Sequence, residues 1–92
     1  MITRDCVIRN RLGLHARAAA KFVQAAARYA AHIRVTHGER SMDGKSIMGI
    51  LLLAAGAGAT IAITADGPDE ADAVQVLCGM VDGGFGEEHW SA

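Results

Sequence analysis

Four histidines are the first side chains to weigh for chemistry. A neutral imidazole is a usable nucleophile near pH 7, because its unperturbed pKa is about 6.5. His32 and His37 fall on or beside a strand, on opposite faces, and His89 falls in a tail without periodicity; all three read as solvated surface residues. His15 differs by position. It follows Gly13-Leu14, precedes the strongest helical segment of the chain, and has Arg17 two residues on. The first N–H groups of a helix have no internal partner and carry the positive end of its dipole, so an anion is stabilised there. A phosphoryl group on His15 would sit in that position, against the backbone of Ala16 and Arg17. The Arg17 guanidinium would add a planar, permanently charged fork for phosphate oxygens, which Lys matches only as a point charge. Spacing alone leaves two readings open: a phosphoryl acceptor, or a histidine that merely ends a loop.

Ser46 is the second candidate. It precedes a short apolar run, Ile47, Met48, Ile50, Leu51 and Leu53, and its hydroxyl is placed to cap a helix there. Cys6 and Cys78 are far apart and form no C-x-x-C, so they read as buried free thiols rather than a zinc or redox site. Gly56-Ala57-Gly58 lacks the Lys-Ser/Thr of a phosphate-binding loop and reads as a turn.

The elements that must position these residues follow from periodicity. Ile2, Cys6 and Ile8 alternate with polar residues and predict a strand over Ile2 to Arg9; Arg4 on the apolar side and Val7 on the polar side suit an edge position. Asn10 to Leu14 reads as a loop. From Ala16 to about Tyr29 the pattern is helical, with Ala19, Phe22, Val23, Ala26 and Ala30 inward and Arg17, Lys21, Gln24 and Arg28 outward. Ala31 to His37 and Arg40 to Asp43 predict a hairpin around Gly38-Glu39, and Thr60 to Ala65 a fourth strand. Asp66-Gly67-Pro68-Asp69 supplies a turn and the cap of a last helix over Glu70 to Asp82, whose core face is Ala73, Val74, Leu77, Met80 and Val81. From about Glu87 the tail has no period and is expected to be flexible. The order βαββαβα implies an α+β fold, and alternating strands suit an antiparallel sheet with one open face.

Bulk properties exclude several classes. The 92 residues predict a single domain spanning 1–92, too small for a second lobe around a deep cleft, so chemistry should be at the surface. A net charge of −1 gives no field that would concentrate nucleic acid, and the sequence holds only 4% aromatic residues with which to stack bases. No stretch approaches the roughly 20 apolar residues that span a bilayer, and Met1-Ile2-Thr3-Arg4-Asp5 does not open a basic, then apolar, leader. A soluble, reduced, cytoplasmic protein without membrane insertion is expected, with no metal and no cofactor.

Gly13-Leu14-His15-Ala16-Arg17 with Ala18-Ala19-Ala20-Lys21-Phe22-Val23, and Asp43-Gly44-Lys45-Ser46-Ile47-Met48-Gly49-Ile50-Leu51, resemble the two signature regions of the HPr family of the phosphoenolpyruvate-dependent phosphotransferase system. The likeness continues through Gly67-Pro68-Asp69-Glu70-Ala71 and Gly84-Phe85-Gly86-Glu87 and so covers nearly the whole chain. It departs at Ala18, where the family often has Pro at the start of the helix; Pro there preorganises the first turn, and its absence removes no functional group. The resemblance implies an open-faced sandwich, four antiparallel strands with three helices on one face. It implies phosphorylation of His15 by enzyme I and transfer onward to an EIIA-type protein, with Arg17 as phosphate partner: a stoichiometric carrier rather than an enzyme. The sugar-uptake and nitrogen-related branches share this design, and the sequence does not separate them.

The resemblance also implies a docking patch of Ala16, Ala20, Ile47, Met48 and Leu51 around His15, ringed by Arg17, Lys21, Arg28 and Lys45, for transient contact by a monomer with acidic partner surfaces. In some lineages it implies regulation at Ser46 by an HPr kinase/phosphorylase, compatible with a capping role. The rival reading is a regulatory interaction domain that uses the same surface to bind a transcription factor or enzyme without accepting phosphate.

Overall fold

A computed structural model describes residues 1–88. The elements run β1 (Ile2–Val7), α1 (Ala16–Ala26), β2 (His32–His37), β3 (Arg40–Asp43), α2 (Ile47–Leu52), β4 (Thr60–Asp66) and α3 (Glu70–Asp82), followed by a 3-10 turn at Gly84–Gly86. The four strands form one sheet in the order β1-β4-β2-β3, every neighbouring pair antiparallel. Alternation sorts the two faces: Cys6, Ile33, Val35, Ile61, Ile63 and Ala65 are buried toward the helices, joined there by Phe22, Ile50, Leu53, Val74, Leu77 and Val81. The other face stays open, and its polar side chains bond across strands, Thr3 Oγ1 to Thr64 Oγ1 at 2.9 Å and Thr36 Oγ1 to Ser41 Oγ at 3.1 Å. This is the α+β open-faced sandwich the sequence implied.

The differences lie at element ends. β1 is an edge strand, as the exposed Arg4 suggested, but stops at Val7 rather than Arg9. Beyond it Ile8 still pairs with the segment before β4, through Ile8 N–H to Ala59 O and Gly58 N–H to Ile8 O, both 2.8 Å. Helix α1 ends at Ala26, three residues before the expected Tyr29, and Ala30 is exposed rather than core. The cause is Asp69: its carboxylate accepts from the backbone N–H of Ala30 (2.8 Å) and Ala31 (2.9 Å), pulling the chain out of the helix into β2. Asp69 does occupy the N-cap position of α3, yet its side chain makes no cap bond there. In α3, Met80 is only half-buried rather than core, while Cys78 is buried as expected and lies beside Cys6 of β1, Sγ to Sγ 2.7 Å, with both thiols free.

Candidate functional site

The loop before α1 is held by Gly13. Its φ of +65° and the position a Cβ would take, 2.6 Å from the Ala55 carbonyl oxygen, both require glycine. Leu14 N–H then donates to Ala55 O at 3.0 Å. This docking sets His15 as the N-cap of α1, where Arg17 N–H points to His15 Nδ1 at 3.4 Å and Ala19 N–H donates to His15 O at 2.8 Å. The ring lies at the rim of an open cleft of about 350 Å³ lined by Arg11, Leu12, His15, Arg17, Lys21, Gly86, Glu87 and Glu88. Arg17 is exposed, and among the described residues it enters no ion pair.

The other nitrogen of His15 is occupied. Nε2 lies 2.8 and 2.9 Å from the two carboxylate oxygens of Glu87, a residue the sequence placed at the start of a tail without periodicity. Glu87 arrives there because the chain turns left-handed at three successive residues, Gly84 (φ 70°), Phe85 (φ 56°) and Gly86 (φ 73°). For Phe85 that backbone is strained, and its buried ring fixes the turn against the core. Lys21 Nζ donates to Phe85 O at 2.9 Å, and Arg11 N–H to Glu88 O at 2.9 Å, so both sides of the cleft grip the segment. Asn10, fully buried, donates from Nδ2 to Gly13 O (2.7 Å) and to Glu87 Oε1 (3.1 Å). Burial works to raise the Glu87 carboxyl pKa, but the bonds from His15 and Asn10 outweigh it and hold it below the usual range.

Helix α2 lies beside α1. Ser46 is its N-cap, Oγ accepting from Gly49 N–H at 3.1 Å. Of the expected docking residues, Ile47 is 41% and Met48 62% exposed, Ala16 and Lys21 are exposed, and Ala20 and Leu51 are half-buried, Leu51 against the core. Lys45 is half-buried and spends its ammonium on Tyr29 O at 2.6 Å. Sequence reasoning missed Leu52 (53% exposed), because helical spacing does not separate an outward leucine from a core one, and Leu12 (58% exposed, on the cleft), which lies in a loop without periodicity. It also missed Asn10 and Glu87. The signal for Glu87 was present in the glycines on either side of Phe85, which license the left-handed turn. His37 is not simply solvated, since its Nδ1–H donates to Leu53 O at 2.9 Å; His89 lies outside the described residues.

Among the described residues no cluster of His, Cys, Asp and Glu could hold a metal ion, and no helix is long and apolar enough to cross a membrane. Residues 2–82 match the family described as the PTS HPr component phosphorylation site. The phosphocarrier protein HPr of Cupriavidus necator is 45% identical over 87 residues, 95% of this chain and 98% of that protein. The phosphocarrier protein NPr of Shewanella violacea is 38% identical, covering 94% of each chain. The crystal structure of an HPr from Thermoanaerobacter tengcongensis superposes with a TM-score of 0.92 at 39% identity, over 96% of this chain and 99% of that one. With the family match over most of the chain, near full-length relatives and the same fold in agreement, the chain belongs to the HPr family of phosphocarrier proteins.

Proposed function

We propose that this protein carries a phosphoryl group on His15, taking it from enzyme I and giving it to an EIIA-type protein in the cytoplasm. The observation that carries the reading is the N-cap geometry of His15: Nδ1 faces the Arg17 N–H at the start of an eleven-residue helix, with the Arg17 side chain exposed beside it. In the transfer the Nδ1 lone pair forms the N–P bond while the bond from phosphorus to the donor breaks, its electron pair leaving with the donor atom. The group then lies against the N–H groups of Ala16 and Arg17, the latter released from Nδ1 as that nitrogen bonds phosphorus, and against the positive end of the helix, with the guanidinium as its second partner. Little else is needed, since phosphoryl transfer depends mainly on positioning and on charge stabilisation. Exposed Ile47 and Met48, with Ala16, Ala20, Lys21, Lys45 and Leu51, form the surface on which partners dock, and Ser46 is a regulatory position at its edge, open to an HPr kinase/phosphorylase.

Incubation with phosphoenolpyruvate and enzyme I, followed by intact mass before and after mild acid, tests the reading. An added, acid-labile phosphate that His15→Ala fails to acquire is expected. A wild-type protein that stays unmodified would favour the rival, a regulatory domain binding through the same surface. Arg17→Lys keeps the charge but loses the fork, and should slow transfer without changing the fold.

A further inference from the structure

We infer that Asn10 and Glu87 are a positioning pair that presets the His15 ring, Asn10 fixing the Glu87 carboxylate and the carboxylate holding Nε2–H, so that the lone pair stands on Nδ1. The inference rests on the carrier reading above and adds to it what selects the nitrogen. A neutral imidazole has one protonated nitrogen, and its tautomer is set by the partners of the ring. A carboxylate can only accept, so Glu87, 2.8 and 2.9 Å from Nε2, requires the proton there. On the other side a backbone N–H can only donate, so Arg17 N–H, 3.4 Å from Nδ1, requires the lone pair there. Both contacts select the same tautomer, and Nδ1 is the nitrogen at the helix N-terminus. When Nδ1 bonds phosphorus the ring keeps its Nε2 proton and gains positive charge, which the carboxylate balances as the buried aspartate of a catalytic triad balances its imidazolium.

Asn10 enters through an independent observation. It is fully buried, its Nδ2 makes two bonds, and its Oδ1 is a buried acceptor with no partner among the described residues. An orphaned buried acceptor is costly, and a fold that only needed to fill the space could hold an apolar residue instead. Here the amide is turned so that both donor hydrogens are used, one on the Gly13 carbonyl of the loop leading to His15, the other on Glu87 Oε1. Asn10 thereby couples the loop before the nucleophile to the segment behind it, 77 residues on in sequence.

The test combines the 15N resonances of the neutral His15 ring with the rate of phosphorylation by enzyme I. In the wild type the two ring nitrogens should be widely separated, with Nε2 protonated. Glu87→Ala should bring them together as the tautomers mix, and slow phosphorylation by about tenfold or more, the order found for carboxylates behind metal-bound imidazoles. Glu87→Gln, whose amide oxygen can still accept from Nε2 and Asn10, should fall between the two. Asn10→Ala should shift the ring signature in the same direction by less; a wild-type signature in a folded variant would remove Asn10 from the pair. If Asn10→Ala does not fold, Glu87→Ala decides alone, since Glu87 is held by hydrogen bonds and fills no core position. Wild-type ring shifts and a wild-type rate in Glu87→Ala would overturn the inference. A wild-type protein that takes no phosphate at all would refute the carrier reading instead, while the ring signature would still report on the pair.

Discussion

Ser46 allows the two consequences of one side chain, for the fold and for docking, to be separated. Its Oγ accepts from Gly49 N–H at 3.1 Å, and Gly49 is buried, so water cannot readily replace the bond. Ser46→Ala should therefore cost about 1 kcal/mol, the usual value of an N-cap within a range of roughly 0.5–2. For a domain of this size that is a fall in Tm of about 4–8 °C. Ser46→Asp keeps an acceptor at the cap and adds a negative charge at the positive end of α2, whose first turn holds no acidic residue. The gain from the dipole is about 0.3–1 kcal/mol, reduced by the nearby carboxylate of Asp43, which already accepts from Lys45 N–H at 2.9 Å. Ser46→Asp should melt at or slightly above the wild type.

Docking should respond in the opposite order. The new charge stands beside the exposed Ile47 and Met48; on the docking surface proposed above, a partner would bury that apolar surface and bring acidic groups to it, so both desolvation and like-charge repulsion should oppose association. We expect Ser46→Asp to accept phosphate from enzyme I about tenfold more slowly, equivalent to about 1.4 kcal/mol. Ser46→Ala, with the surface charge unchanged, should accept it at nearly the wild-type rate once kept below its melting range. The repulsive part should shrink at 1 M salt, where the screening length is about 3 Å. Melting curves and phosphorylation rates on the same preparations check both. A Ser46→Asp protein that accepts phosphate as fast as wild type at low salt would refute the argument and leave Ser46 only its cap.

Met48→Ala should change stability by less than about 0.5 kcal/mol because Met48 is 62% exposed, whereas Ile50→Ala, at a fully buried neighbour, should cost about 2–5 kcal/mol; thermal melts beside enzyme I binding isotherms distinguish a docking methionine from a core one. Ala54 closes α2 with φ 52°, a backbone that glycine adopts without strain, so Ala54→Gly should raise stability by about 0.5–1 kcal/mol, read as an increase in denaturation midpoint. The Ala30 and Ala31 N–H groups, together with the Lys45 charge, hold the Asp69 carboxyl below its ordinary range. A group depressed on folding contributes stability above its unfolded pKa and loses it as pH falls through the folded value. Wild-type stability should therefore decline with acid below about pH 4, and Asp69→Asn should show a shallower decline in denaturant titrations over that interval.

Much of this site was legible because its determinants are contiguous. Gly13, His15, Arg17 and the helix that starts between them are local, and so are Ser46 and the apolar run it caps; periodicity and cap chemistry act over three or four residues. What sequence reasoning missed depends on contacts across the fold. Nothing near Tyr29 says that α1 must stop at Ala26, because the acceptor that ends it, Asp69, lies about 40 residues on at the head of another helix. Met80, expected on the core face, is only half-buried for a related reason: helical spacing marks a face, while the neighbours across it decide how far each residue is enclosed, and Cys78, buried as its apolar character suggested, meets Cys6 of the edge strand β1 there.

Glu87 is the sharpest instance, and it bears on how such a site is built. The residue is held by a left-handed turn through a buried Phe85, by Lys21 on α1 and by Asn10 in the loop, partners scattered over the length of the chain. A nucleophile at a helix N-terminus needs only a short segment to be recognised, but the choice between its two ring nitrogens needs an acceptor behind it, and a helix cannot place one there from its own sequence. The strained backbone at Phe85 is consistent with that demand, since a non-glycine residue persists in the left-handed region only where its surroundings hold it. Phe85→Gly should relieve the strain yet lose the buried ring that anchors the turn. If the ring is what holds Glu87 in place, this variant should mix the His15 tautomers as Glu87→Ala does, although the carboxylate itself remains. A Phe85→Gly protein with the wild-type ring signature would show that Lys21 and Asn10 suffice.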